Sequence, residues 1–153
     1  MTASARPTGA VPLLGLLVII AGAVLFVAGV VTYSIVGSTL SDQKITVSDD
    51  AAYFAGQHVN QPWEAYAEAM VIADHASEMA DGKTYAELAR DDPERESVMN
   101  ASFLQASLFT SVVAFGVAAL TAGLGILLAL IGYSLRRLAR VPEPAEARTA
   151  TSA

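Results

Sequence analysis

Two histidines and a row of carboxylates are the residues of this chain whose types and spacing could support chemistry. His58 precedes a predicted helix from Trp63 to Ala80, and that helix carries Glu64, Glu68, His75 and Glu78. Residues three or four positions apart share a helix face, so the helical set lies near one face. His58, His75 and Glu78 match the minimum ligand set of a non-haem iron site.

A metal site also needs a rigid scaffold and side chains that orient its ligands, and the surrounding sequence gives no sign of either. The same pattern equally describes a solvated acidic helix face with an exposed histidine. We therefore predict no metal ion and no other cofactor.

Other catalytic signatures are missing from the sequence. There is no cysteine, no Gly-x-Ser-x-Gly elbow, no phosphate-binding glycine loop and no zinc-protease helix motif. We therefore predict no catalytic residue, and an enzymatic role is not favoured.

Two long uncharged runs dominate the chain. Residues 11–36 and 108–133 each comprise 26 residues without a charge. A helix of that length reaches about 39 Å, more than the roughly 30 Å hydrocarbon core of a bilayer. Arg6 before the first run also fits a cleaved secretory signal, but the length of the run favours an uncleaved anchor. Neither run contains an ionisable acid, lysine, arginine or histidine, which argues against a proton or ion path through them.

The distribution of charge predicts the orientation. The stretch from residue 37 to residue 107 has four basic and thirteen acidic residues, a net charge of −9, whereas the flanking parts carry a net charge of +3. Arg136, Arg137 and Arg140 follow the second run, and basic residues that flank spans favour the cytoplasmic side. We expect a multi-pass protein of the cell (plasma) membrane with both termini in the cytoplasm.

The predicted fold class is an all-α membrane protein, an antiparallel hairpin of two transmembrane helices joined by a helical extracytoplasmic segment. The predicted regions are a disordered tail (1–10), a first span (11–37), an acidic helical segment (38–106), a second span (107–135) and a basic, then disordered tail (136–153).

Local signals predict four helical pieces in the acidic segment. Asp49 and Asp50 would cap a short turn that ends at Gly56. Pro62 would begin the long helix, and Asp81-Gly82 would end it. A capping box from Thr84 to Glu87 would open a short helix. The sequence Asp92-Pro93-Glu94 would start a helix that continues through the membrane.

Glycines recur every seven residues in both apolar runs, which keeps them on one helix face. Gly116/Gly123 and Gly125/Gly132 are two such pairs in the second run. In an antiparallel hairpin whose paired residue numbers sum to 147, small residues face small residues, which permits close backbone approach in lipid. The predicted seam consists of Gly15, Gly22, Gly29, Ala118, Gly125 and Gly132. Alternatively, Ala114, Ala118 and Ala122 would serve a homo-oligomer or another subunit.

Aromatic residues give the acidic segment an apolar side. They are Trp63 and Tyr66, accompanied by Met70, with Tyr53 and Phe54 upstream. This side would form the small core of the segment or rest on lipid headgroups. A docking face for a partner is the further interpretation.

Three stretches carry a resemblance. KITVSDDAAYFAGQHV, GKTYAELARDDPERESVMNASFLQASLFTSVVAFGVAAL and LIGYSLRRLAR resemble a group of small two-span membrane proteins of actinobacteria. Members of that group often carry the label aromatic ring-opening dioxygenase LigA. The resemblance implies a small membrane protein and carries no functional residue over to this chain.

Three functions follow as hypotheses. The first is a non-catalytic accessory or interaction subunit of a cell-envelope complex, whose partners are the lipid bilayer and another membrane protein or a second copy of this chain. The second is an extracytoplasmic sensor or regulator that uses the −9 segment. The third, by the family label only, is ring cleavage with iron at His58 and His75. No nucleic-acid partner is predicted.

Overall fold

The computed structural model describes residues 10–139, which contain three helices. They are α1 (Ala10–Asp42), α2 (Pro62–Met79) and α3 (Arg95–Leu138). The all-α prediction is confirmed at this level. With 33 and 44 residues, α1 and α3 extend about 50 and 66 Å, and both are apolar enough to cross a membrane. Each helix continues beyond the predicted span, since α1 runs to Asp42 and α3 begins at Arg95.

The described residues form two compact units. Residues 10–28 and 121–139 form the first, which we call the glycine unit, and residues 29–120 form the second, which we call the α2 unit.

In the glycine unit, the two helical segments meet through their smallest residues. Gly15, Gly22, Gly125 and Gly132 are buried, whereas the large side chains around them are mostly exposed. An exposed row of Leu, Ile and Val is unfavourable in water but not in lipid, where packing depends on how closely two backbones approach.

The α2 unit has a small apolar core with contributions from all three helices and from the loop after α1. The buried residues are Leu40, Val47, Val59, Ala65, Ala69, Leu108 and Phe115. The Phe115 ring lies 4.7 Å from the Tyr33 ring, centroid to centroid, and the Tyr33 hydroxyl donates a 2.9 Å hydrogen bond to Gln61 Oε1. These contacts fix the start of α2 against α1 and α3.

The loop between α1 and α2 is not helical, so the predicted helical turn before Gly56 is wrong, although Gly56 does adopt the predicted left-handed conformation. An antiparallel bridge pairs Thr46 with His58, and the Val59 amide donates to the Ile45 carbonyl at 2.9 Å. Phe54 and Gly56 have positive φ angles of 63° and 72°, which reverse the chain between the two sides of the bridge. Burial of Val47 and Val59 favours this arrangement over a local helical turn.

Helix α2 begins and ends where the sequence predicts. Pro62 occupies its first position, which suits a residue that lacks an N–H and has a fixed φ. After Met79, the Gly82 amide donates to the Ser77 carbonyl at 2.7 Å and the Asp81 amide donates to the Glu78 carbonyl at 3.4 Å. This is a Schellman ending in which Asp81, with a φ of 49°, takes the left-handed position.

The predicted short helix from Thr84 to Arg90 is wrong, because this stretch forms turns. Half of the predicted capping box is present, since Glu87 Oε2 accepts bonds from the Thr84 amide (2.8 Å) and hydroxyl (2.9 Å). Arg95 stacks on the Tyr85 ring at 4.1 Å and donates to the Tyr85 and Leu88 carbonyls. The Arg95 side chain thus binds the Tyr85 and Leu88 carbonyls, which would accept backbone hydrogen bonds if this stretch were a helix.

Candidate functional site

Histidine 75 lies on α2 and contacts the preceding loop rather than a second histidine. Its Nε2 is 2.6 Å from Oδ2 of Asp50, and both side chains are about half exposed. The hydrogen bond to Asp50, and then the charge of Asp50, raise the pKa of His75, with smaller contributions from Glu78 and Glu68. The same hydrogen bond lowers the pKa of Asp50.

The three candidate metal ligands are not gathered into a site. His58 is an exposed loop residue in the bridge with Thr46, and Glu78 is exposed near the end of α2. Within residues 10–139, no group of three or more histidine, aspartate or glutamate side chains is arranged to hold a metal ion.

Two glutamates expected on a solvated face of α2 are instead buried, which corrects that interpretation. Glu64 and Glu68 are each 7% exposed. Glu64 Oε2 accepts hydrogen bonds from the backbone amides of Asn60 (2.8 Å) and Gln61 (3.1 Å). Glu68 accepts from the Ser48 amide at 2.7 Å and from the Ser48 hydroxyl at 3.2 Å. The carboxylates satisfy backbone donors that the non-helical loop leaves free.

The loop held in this way forms one wall of an open groove of about 750 Å³. Helix α2 supplies the opposite wall, and one side chain of α3 also lines the groove. The lining residues are Asp50, Ala51, Ala52, Tyr53 and Phe54 from the loop; Pro62, Trp63, Tyr66, Ala67, Met70, Val71 and Asp74 from α2; and Val112 from α3. We call this feature the aromatic groove.

The aromatic groove contains the side chains that the sequence marked as the apolar side of the acidic segment. Tyr53, Trp63 and Tyr66 are between 50% and 74% exposed, so they do not form the core of the unit. The Tyr66 ring meets Phe109 of α3 edge-on at 5.7 Å, which fixes one wall of the groove. The charged lining residues are Asp50 and Asp74.

The predicted glycine seam can be compared with contacts in the glycine unit. A Cβ atom added to Gly22 would lie 2.6 Å from the Gly125 carbonyl oxygen, and one added to Gly15 would lie 2.8 Å from the Gly132 carbonyl oxygen. The structure therefore brings both glycine pairs together at distances that admit no side chain. In the α2 unit, Gly29 and Ala118 are both buried.

The other glycine pair of α3 is different. A Cβ on Gly116 or Gly123 would meet no atom within 4 Å, and both residues are exposed. Of the three arginines predicted to set the topology, Arg136 and Arg137 lie in the last turn of α3, and Arg140 lies outside the described residues.

Sequence reasoning missed the role of Glu64 and Glu68. Glu64 is the third residue of α2, where a glutamate commonly reaches back to the amide before the helix, and this signal was available in Gln61-Pro62-Trp63-Glu64. The bond between Glu68 and Ser48 joins residues 20 positions apart, and no local pattern indicates it.

Comparisons of this chain with protein-family models, with curated proteins and with solved structures find no match.

Proposed function

We propose that this chain is a two-span integral protein of the plasma membrane that acts as a non-catalytic accessory subunit of a larger envelope complex. The observation that carries the proposal is how little of α1 and α3 is buried. Only 17% of the most apolar stretch of each helix is buried, although both are long enough to span a bilayer. A surface of exposed Leu, Ile and Val of this extent requires lipid or another protein to cover it.

The proposed topology places both termini in the cytoplasm and residues 38–106 outside. Arg136 and Arg137 in the last turn of α3 support this orientation, because basic residues that follow a span favour the cytoplasmic side. Their positive charges are also stabilised by the negative end of the helix dipole.

Exposed glycines on α3 suggest where a partner helix packs. Gly125 and Gly132 already contact α1, whereas Gly116 and Gly123 have open space around them. In lipid, small residues at an interface permit the close approach that stabilises helix pairs. We propose that a transmembrane helix of the partner packs at Gly123.

The test is purification of the tagged protein from its native membrane in a mild detergent, with identification of co-eluting proteins and metal analysis of the same fraction. We expect a stoichiometric membrane-protein partner and no bound metal. Gly123→Leu should remove the partner, because the added side chain fills the space that the partner helix needs.

Thr110→Leu is the matched control, because it places a leucine at an exposed position about 140° around α3 from Gly123, and it should leave the partner bound. Equal loss of the partner from both variants would contradict the proposed contact. A metal-loaded protein that elutes alone would contradict the accessory role itself and would favour a metal site at His58 and His75.

A further inference from the structure

The aromatic groove combines aromatic faces with carboxylates, and this combination indicates its ligand. We infer that the groove binds an ammonium group carried on an apolar body, such as an alkylamine or an amine-bearing lipid headgroup with part of its chain. The inference concerns the α2 unit alone and goes beyond the proposed accessory role.

The charges of the groove favour a cation. Asp50 and Asp74 are its charged lining residues, and the stretch from residue 37 to residue 107 carries a net charge of −9. A cleft with walls of one charge sign raises the local concentration of the opposite ion. Because Asp50 already pairs with His75, we expect Asp74 to be the lining carboxylate that pairs with a cationic ligand.

The aromatic rings favour an ammonium ion over a small hydrated metal ion. Tyr53 on the loop faces the same space as Trp63 and Tyr66 on α2, and all three rings are at least half exposed. The negative faces of such rings attract an ammonium placed over them. Since exposing three large rings to water is unfavourable, a ligand that covers them gains hydrophobic free energy as well.

The remaining lining fits an apolar body attached to the cation. Ala67 and Met70 of α2, together with Val112 of α3, present only apolar atoms apart from backbone. The volume of about 750 Å³ lies within the usual range for small-ligand sites, roughly 300–1,000 Å³. Phosphate or sulfate groups on the same apolar body would instead approach Asp50 and Asp74, and we expect them to be excluded.

The chain carries its own reporter, because Trp63 is its single tryptophan and lines the groove. The full-length protein in dodecyl maltoside micelles is titrated with hexyltrimethylammonium while Trp63 emission is followed. We expect saturable binding that weakens as salt is added. Hexyl sulfate and 1-hexanol, which have the same chain without the cation, should bind about fivefold more weakly or not at all.

Two variants test the carboxylate. Asp74→Asn should weaken hexyltrimethylammonium binding by up to about fivefold, because it removes an exposed pair of opposite charges. Asp91→Asn removes one negative charge from an exposed turn outside the groove and should leave binding unchanged. Circular dichroism of both variants should match that of the unaltered protein. Equal binding of 1-hexanol and the ammonium, or equal affinities of the two variants, would overturn the inference.

Adding phosphatidylethanolamine or phosphatidylglycerol to the micelles separates the two sources of the ammonium. Weaker probe binding with phosphatidylethanolamine alone assigns a lipid headgroup as the occupant, and unchanged binding with both lipids assigns a soluble amine. Both results keep the ammonium as ligand. This titration uses purified protein without its partner, so its failure would leave the accessory role standing, and loss of the partner would leave the groove standing.

Discussion

Gly22 and Gly125 lie so close that neither position can hold a side chain. A Cβ on Gly22 would lie 2.6 Å from the Gly125 carbonyl oxygen, and a Cβ on Gly125 would lie 2.5 Å from the Phe26 amide nitrogen. The obstructing atoms belong to the backbone, so relief requires the two helical segments to move apart. The close packing of the glycine unit therefore depends on hydrogen at these two positions.

Replacing Gly22 by alanine should destabilise the protein. Alanine improves helix propensity by about 1 kcal/mol, but overpacking against a backbone costs about 1–3 kcal/mol, and at 2.6 Å we expect the overpacking to dominate. Unfolding by sodium dodecyl sulfate in dodecyl maltoside micelles, followed by circular dichroism, measures the change. Gly116→Ala is the matched control, since its Cβ meets no atom within 4 Å, and it should be neutral or stabilising. A Gly22→Ala variant as stable as Gly116→Ala would contradict the packing.

Removing the Glu68 carboxylate should loosen the loop that forms one wall of the aromatic groove. Glu68→Ala leaves the Ser48 amide and hydroxyl without their acceptor and should cost about 1–3 kcal/mol. Hydrogen exchange at the Ser48 amide should accelerate with it. Glu78→Ala removes an exposed carboxylate from the same helix and should change neither quantity appreciably. Slow exchange at Ser48 in Glu68→Ala would show that the carboxylate does not hold the loop.

Phe115 should be the costliest aromatic side chain of α3 to remove. It is 1% exposed and contacts the Tyr33 ring, so Phe115→Ala should lower the free energy of unfolding by about 3–5 kcal/mol. Phe103 on the same helix is 65% exposed, and Phe103→Ala should cost far less. Unfolding in the same micelles compares the two variants. Similar losses would mean that Phe115 does not lie in the core of the α2 unit.

The pair of His75 and Asp50 should make stability depend on pH at both ends of a window. The pKa of His75 is raised on folding, so its contribution is complete below the unfolded pKa and is lost as pH rises through the folded pKa. The pKa of Asp50 is lowered, so its contribution is present above the unfolded pKa and is lost as pH falls through the folded pKa. Between these limits both groups are charged and the pair is intact.

Nuclear magnetic resonance titration of the His75 ring protons checks this directly, with His58→Gln used to assign the signals. Asp50→Asn should lower the pKa of His75, because its hydrogen bond to the Asp50 carboxylate is the largest cause of the raised value. The negative charges of Glu78 and Glu68 should preserve a smaller part of the increase in the His75 pKa. An unchanged His75 titration in Asp50→Asn would contradict the contact.

The sequence by itself determined the elements that depend on local signals. Two uncharged runs of 26 residues predicted α1 and α3, because burial of backbone groups in an apolar solvent requires a long helix. Pro62 and Asp81-Gly82 predicted the ends of α2, because the fixed φ of proline and a left-handed residue act within one turn.

Only the tertiary structure decided which residues of these elements meet. Two glycine pairs in α3 have the same spacing, yet Gly125 and Gly132 contact α1 while Gly116 and Gly123 remain open. The loop before α2 is irregular, because its backbone is held by Glu68 and buries Val47 rather than following the helix propensity of its alanines. Contacts between residues far apart in the chain set both outcomes, and so they also set the aromatic groove.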